Sequence, residues 1–356
     1  LFIKTVLNEA NMRILITGGA GFIGSHLAEA YLRQGDDVYI IDDLSTGALD
    51  NLKELQANPA YLEKLFVTID NILNHDIMLE LVGTCDVVFH LAAAVGVRTI
   101  LNYPLESIKT NIQGTEKVLE LCAKFKKKVL IASTSEVYGK HLHAPLVESD
   151  NIIYGPSSKF RWSYAASKLM DEFTALAYHR TKGLEVIITR LFNTVGPRQT
   201  GAYGMVIPRL VQQALCNKPL TVYGDGMQSR TFTYVSDVVR ALMGLMAAEK
   251  SVGEVFNVGG TEEITIYDLA QKIISLSGSS SKIELIAYEE VFEKDFEDMQ
   301  RRVPGIEKIN KLIGFEPKTD LDAIILEVID YIQNLLAESR QPSENYNPKK
   351  VNMAAS

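Results

Sequence analysis

The chain has little that would hold it together covalently or anchor it elsewhere. Its 356 residues include only three cysteines, Cys85, Cys122 and Cys216, far apart and without metal-ligand spacing, which excludes a disulfide framework and leaves no metal site to expect. No apolar stretch approaches the roughly 18 residues that span a bilayer, and the apolar run after Met12 is broken by glycines, so no membrane segment is expected. A sustained Lys/Arg stripe is also missing. The net charge is -8, and the basic cluster Lys124, Lys126, Lys127 and Lys128 reads as the solvated end of a helix, which argues against nucleic acid as a partner. Unpaired cysteines and the absence of a span suit a cytoplasmic protein. Internal repeats and low-complexity tracts are absent as well.

What is there is a core. Hydrophobic residues make up 47% of the chain, enough for one large or two closely packed domains. Short β-branched runs (Arg13–Thr17, Asp37–Asp42, Lys64–Val67, Asp86–His90, Lys128–Ala132, Glu185–Arg190) alternate with segments of helical apolar spacing (Ile23–Gln34, Pro104–Phe125, Trp162–Lys182). Buried strands separated by helices imply an α/β fold, a Rossmann-type doubly wound parallel sheet. From about Thr194 the pattern loosens, with helices expected at Met205–Cys216 and Val235–Glu249. The spacing therefore predicts a dinucleotide-binding domain over 12–193 and a smaller C-terminal α/β substrate-binding lobe over 194–336. The chain is expected to return to the first domain in part, with extensions at 1–11 and 337–356.

The first predicted strand runs into Gly18-Gly19-Ala20-Gly21-Phe22-Ile23-Gly24 and then a helix. Glycines at 18, 21 and 24 permit a tight turn, close approach of backbone to a pyrophosphate, and helix-on-strand packing, while the helix N-terminus offers N–H groups to the anion. The second strand ends in Asp42-Asp43, where a carboxylate accepts bonds from ribose hydroxyls. Asp42 would repel a ribose 2′-phosphate, and no Arg or Lys lies between Val38 and Gly47, so NAD is expected over NADP. Asp70-Asn71 is placed either on the adenine edge or in a helix cap. His90-Leu91-Ala92-Ala93 follows the fourth strand, the alanines allowing backbone approach to a cofactor and His90 reading as a satisfied buried histidine.

Tyr164-Ala165-Ala166-Ser167-Lys168 falls on a predicted helix, where residues four apart share a face. An ammonium beside the phenol would favour phenolate, the form that removes a hydroxyl proton during oxidation of a secondary alcohol. Upstream lies a strand end rich in hydroxyls, Ser133-Thr134-Ser135-Glu136, in which Thr134 can bond the substrate oxygen and Glu136 brings a carboxylate or caps a turn.

Together these motifs resemble the extended short-chain dehydrogenase/reductase family of nucleotide-sugar epimerases, dehydratases and decarboxylases. The likeness runs from Met12 to about Leu336 and takes in Val137-Tyr138-Gly139 and Arg190-Leu191-Phe192-Asn193-Thr194-Val195-Gly196-Pro197-Arg198. It implies NAD in the first half and a nucleoside diphosphate in the second. Asn193 would touch the sugar diphosphate, and Arg230 and Arg302 the diphosphate. Diphosphate charge taken from water needs such guanidinium groups, though any of them, Arg209 and Arg301 included, can instead form a surface ion pair. Arg98 joins the substrate-binding candidates from Val95-Gly96-Val97-Arg98, a segment that resembles epimerases as much as decarboxylases. Family members pair through two long helices, which implies a homodimer on Pro104–Phe125 and Trp162–Lys182.

Thr134-Ser135-Glu136 lacks the Asp of the 4,6-dehydratase pattern and resembles the uridine diphosphate glucuronate decarboxylases, as does Gly155-Pro156-Ser157-Ser158-Lys159-Phe160-Arg161-Trp162-Ser163-Tyr164. Met205 and Pro208 depart from the polar residues of some decarboxylases. The resemblance implies transient oxidation at the sugar C4, then loss of the C5 carboxylate of a UDP-linked hexuronic acid. Arg161 would orient that carboxylate or position Glu136 by a salt bridge, and Glu136 would deliver a proton to C5. A UDP-sugar 4-epimerase, a 4,6-dehydratase, a net dehydrogenase releasing NADH and a non-enzymatic dinucleotide sensor stand as alternatives.

Overall fold

In β1 (Arg13–Thr17), Ile14 and Ile16 pack on one side of a sheet and Leu15 on the other, all three wholly buried. A strand apolar on both faces requires a layer of helices above and below. The structure, a computed structural model, describes residues 11–141, 143–201, 205–291 and 299–340. β2 (Asp37–Asp42), β3 (Leu65–Ile69), β4 (Val87–His90), β5 (Lys128–Thr134) and β6 (Val186–Leu191) join β1 in one parallel sheet. A seventh strand, Glu254–Val258, completes it beyond β6, and the order is (Glu254–Val258)-β6-β5-β4-β1-β2-β3. The chain runs outward in opposite directions from β1 and β4, which leaves a crevice at their carboxyl ends.

Helices Phe22–Gln34 and Val235–Ala247 cover one face, burying Leu27, Ala28, Val238, Leu242 and Leu245 against Ile14 and Ile16. Helices His75–Thr84, Pro104–Phe125 and Ser163–Lys182 cover the other through Met78, Val118, Cys122 and Ala175. The Val235–Ala247 helix thus belongs under the main sheet and not in the C-terminal lobe expected for it. Its apolar stripe completes a layer that Phe22–Gln34 alone would leave half open, and the strand that follows it enters the same sheet.

The second lobe has its own core between helices Val206–Leu215, Ile266–Ser277 and Leu321–Arg340. Leu321–Arg340 continues past the boundary expected at 336, while residues 1–10 and 341–356 of the expected extensions lie outside the described residues. A small sheet in this lobe pairs Ser229–Thr231 antiparallel with Glu263–Thr265 and parallel with Arg301–Arg302, and the register sets Arg302 beside Arg230.

A buried ion pair ties the main sheet to the Ser163–Lys182 helix. Arg190, near the end of β6, gives Nε and Nη2 to the two carboxylate oxygens of Glu172 at 3.0 and 2.8 Å, and Ser133 of β5 donates to the same carboxylate at 2.5 Å. The guanidinium also lies 4.8 Å from the Tyr138 ring centroid. Removing one partner of such a pair strands a charge in low dielectric. Glu172→Ala is therefore expected to cost about 3–5 kcal/mol in urea unfolding; a loss below about 1 kcal/mol, the range of an exposed pair, would contradict this.

Candidate active site

The carboxyl ends of β1, β2, β4, β5 and β6 open into a cleft of ≈ 1460 Å³ that extends between the two lobes. Gly18, Gly21, Phe22, Ile23, Gly24, Asp42, Asp43, Asp70, Asn71, Leu91, Ala92 and Ala93 line one half. Thr134, Glu136, Arg161 and Tyr164 line the middle, and Asn193, Arg230 and Arg302 lie toward the second lobe. Lys168 sits behind this wall, and the side chain of Arg98 lies outside the described residues.

The glycine loop is shaped by contacts that no side chain would permit. Gly18 has φ 71°, and a Cβ there would meet Ala92 Cα at 2.9 Å, while a Cβ on Gly24 would meet the Gly18 carbonyl oxygen at 2.3 Å. The helix that starts at Phe22 has neither a side-chain cap nor an acidic residue in its first turn. Its N–H groups therefore face the cleft as an anion site. Asp42 accepts from the backbone of Ala20 and Leu44, each at 2.9 Å, so one carboxylate orders both the glycine loop and the turn after β2. Asp43 accepts from the Asn71 amide at 2.8 Å. Asp70 accepts from the Asn71 N–H at 2.6 Å and from Asn74, the cap of the next helix, at 2.9 Å, which makes it a turn carboxylate at the rim. His90 is buried between Thr17 and Thr115, at 2.8 and 3.1 Å, and takes no place in the wall.

Farther along, Thr134 and Tyr164 line the cleft together. Glu136 receives Arg161 Nη1 at 2.5 Å and Arg302 Nη1 at 3.4 Å, and Arg302 also reaches the Ser135 hydroxyl at 3.4 Å. Burial pushes the Glu136 carboxyl up, but Arg161, Arg302 and, farther off, Arg230 outweigh it and hold the carboxyl at about 2. Glu136 is thus the counter-charge on which two arginines converge. Arg302, beside Arg230 in the small sheet, reaches Glu136 and the Ser135 hydroxyl just past the end of β5.

The expected Lys168–Tyr164 partnership is also rearranged. Lys168 Nζ donates to Asp171 Oδ2 at 2.7 Å, and both side chains are buried. Burial first, and then the Glu136 and Asp171 carboxylates, push the Tyr164 phenol up. Asp171 was missed, although a carboxylate three positions past a lysine on one helix was a readable signal.

Toward the far end, Asn193 donates to the Thr231 carbonyl at 2.8 Å, and Arg230 donates to the Ser229 carbonyl at 2.8 Å, so both are braced by the small sheet while lining the cleft. Arg209 lies 4.4 Å from the Tyr223 ring centroid and gives Nη1 to the Thr221 carbonyl at 2.7 Å, which offers a guanidinium and an aromatic face at the cleft wall. Arg301 forms a surface ion pair with Glu263 at 2.6 Å.

The family described as GDP-mannose 4,6 dehydratase matches residues 15–328. A UDP-N-acetyl-alpha-D-glucosaminuronate decarboxylase of Bacillus cytotoxicus is 44% identical over 91% of this chain and 98% of its own length. UDP-glucuronic acid decarboxylase 4 of Arabidopsis thaliana is 36% identical, covering 95% of this chain and 72% of the plant protein. Among solved structures, the UDP-glucuronic acid 4-epimerase of Bacillus cereus, in complex with UDP-glucuronic acid and NAD, superposes with a TM-score of 0.81 at 33% identity, over 91% of this chain and 100% of that one.

The ion-pair cluster predicts an acid limb in stability. A carboxyl lowered from 4.5 to about 2 contributes stability that is fully present above its unfolded value and is lost as pH falls through about 2. Tm of the wild type should drop through that window, and Glu136→Gln should flatten this part of the drop; an unchanged slope in the variant would remove Glu136 from the account.

Proposed function

Because the chain belongs to the GDP-mannose 4,6 dehydratase family, within the extended short-chain dehydrogenase/reductase group, we propose that it is an NAD-dependent decarboxylase of a uridine diphosphate hexuronic acid, UDP-glucuronate or its 2-acetamido analogue. The observation that carries the reading is the charge around Tyr164: Arg161, Arg302 and Arg230 act on the single carboxylate of Glu136. That excess of guanidinium at the reacting end of the cleft fits an anionic sugar better than a neutral one. The names of the Bacillus cytotoxicus and Arabidopsis thaliana relatives support it.

The glycine loop, the uncapped helix start and Asp42 fit NAD: the loop leaves room for a pyrophosphate against bare backbone, and Asp42 disfavours a 2′-phosphate. When bound, NAD supplies two-electron oxidation of the C4 alcohol and its reversal. Tyr164 is the base that takes the C4 hydroxyl proton, and the Thr134 hydroxyl, which lines the same part of the cleft, would bond the same oxygen. The C4 ketone makes the sugar a β-keto acid. The C5–carboxylate bond then breaks, CO2 leaves, and the electron pair passes into an enolate whose oxygen faces Thr134 and Tyr164, where such donors contribute about 3 kcal/mol each. Arg161 and Arg302, aimed by Glu136, hold the carboxylate before it departs. Loss of CO2 consumes one proton overall, delivered to C5 before C4 is reduced again.

Asn193 and Arg230 serve the sugar diphosphate, and Arg209 with Tyr223 serves the nucleoside. A second reading, 4-epimerisation, is favoured by the Bacillus cereus structure. Tyr164→Phe should lower both cofactor reduction and CO2 release by about 100-fold or more. Glu136→Gln should lower CO2 release while leaving cofactor reduction measurable. If instead Glu136→Gln leaves CO2 release untouched, the arginines do not act through it.

The reading extends to a homodimer. Met170 and Phe173 of the Ser163–Lys182 helix are 50% and 61% exposed and border a shallow hollow shared with Ala177 and Tyr178. A second copy packed on this helix would bury that apolar surface. Light scattering should give twice the chain mass at micromolar concentration, and Phe173→Glu should shift it toward the single-chain mass; a wild-type monomer would contradict the dimer.

A further inference from the structure

Asn257 is wholly buried on the Glu254–Val258 strand, behind the cleft wall, yet its amide joins the two segments that carry Glu136 and Arg302. Tyr138, at the end of the short turn Ser135–Tyr138, donates its hydroxyl to Asn257 Oδ1 at 2.8 Å. Asn257 Nδ2 donates to the Leu146 carbonyl at 2.9 Å and to the Gly305 carbonyl at 3.3 Å. The backbone closes the same cluster: the Leu146 N–H donates to the Val303 carbonyl at 2.8 Å, and the Gly305 N–H to the Leu146 carbonyl at 2.7 Å. We propose that Asn257 is a positioning residue for the reaction: bonded to Tyr138 on one side and to Leu146 and Gly305 on the other, it holds Arg302 at the Glu136 turn and so places the guanidinium that receives the substrate carboxylate.

Donor and acceptor chemistry fixes the way the amide points. Carbonyl oxygens only accept, so the Asn257 NH2 faces Leu146 and Gly305, its oxygen faces Tyr138, and the phenol donates. Both N–H groups and the oxygen of the amide are thereby used. Aspartate, of the same shape, only accepts, and leucine does neither, so the site calls for asparagine. A buried polar network that is satisfied in one arrangement specifies that arrangement, which is what a residue that places others must do.

Arg302 needs such a second hold. Its strand, Arg301–Arg302, gives the small sheet only two residues, and Arg302 Nη1 lies 3.4 Å from Glu136, so a displacement of about 1 Å would carry it out of contact. The segment that follows is packed without slack against the main sheet and the Leu146 loop. A Cβ on Gly259, two residues past Asn257, would meet Pro304 Cγ at 2.8 Å, and one on Gly305 would meet Val147 Cγ1 at 2.8 Å. Asn257 is itself fixed from a further side, because its N–H donates to Glu148 Oε1 at 2.8 Å. Tyr138, Leu146 and Asn257 are all wholly buried, so water does not compete for these bonds.

The proposal rests on the reading of Arg302 as a holder of the sugar carboxylate, and one set of titrations separates the two. UDP-4-deoxyglucuronate and UDP-4-deoxyglucose lack the hydroxyl to be oxidised and differ only at C6. Titrated calorimetrically into the NAD-bound enzyme, the acid should bind the wild type about 10-fold or more tighter than the neutral sugar, the worth of one charge-assisted pair. Asn257→Ala and, separately, Tyr138→Phe, which keeps the ring, should lose most of that preference while binding the neutral sugar as the wild type does. Added to Arg302→Ala, either should change the preference no further, since a residue that acts through Arg302 then has nothing left to place. Additive losses in the double variants would overturn the proposal. So would equal weakening of both probes, the pattern of a residue that only stabilises the fold, and Tyr138→Phe carries the test if Asn257→Ala does not fold. Failure of the underlying reading shows separately, in a wild type that binds both probes alike or an Arg302→Ala enzyme that keeps the preference, and either result overturns the proposal as well.

Discussion

Glu136 sits in a wall that water hardly reaches, and it remains ionised because Arg161 and Arg302 converge on it from two separate elements. One comes from the approach to the Tyr164 helix and the other from a two-residue strand in the second lobe. Neither arginine would be stable there alone, since a buried charge is tolerated only when paired. The cluster therefore joins the two lobes beside the proposed reacting end of the cleft. It also sets the character of the site: one carboxylate among several guanidinium groups has positive charge to spare for an anionic substrate group.

The fold supplies the geometry on which this depends. β5 ends in Thr134, and the turn that follows presents Ser135 and Glu136, so the Thr134 hydroxyl and the carboxylate on which the arginines converge are set by one strand. β5 is locked to β6 and to the Ser163–Lys182 helix by the Ser133, Glu172 and Arg190 network. Tyr164 and Lys168 ride on that same helix. The network thus fixes the distance between the strand end and the phenol, and the buried contacts from Ala92 through Thr17 and His90 to Thr115 tie the loop after β4 to the Pro104–Phe125 helix.

Local features were readable from the residues. The alternation of strands and helices gave the parallel sheet, and the glycine spacing located a loop where an added Cβ has no space. The candidates Thr134, Glu136, Tyr164 and Arg161 meet along one wall because they sit on adjacent elements of short sequence separation. Long-range choices were less legible. Periodicity reports an apolar face and not the surface that covers it, so Val235–Ala247 was assigned to the wrong lobe. Whether Lys168 turns to Tyr164 or Asp171 depends on competing partners of similar spacing, and burial decided for the carboxylate. The place of Arg302 depends on a register between short strands that carry almost no pattern of their own.

The central claim is that the guanidinium-rich wall beside Tyr164 turns C4 oxidation into loss of the sugar carboxylate. Following a UDP-hexuronic acid labelled with 13C at the carboxyl carbon tests it most directly. The account predicts that the label leaves as CO2 and bicarbonate in step with formation of a UDP-pentose, with no net accumulation of NADH. Retention of the label in a hexuronic acid whose C4 configuration has inverted would contradict it.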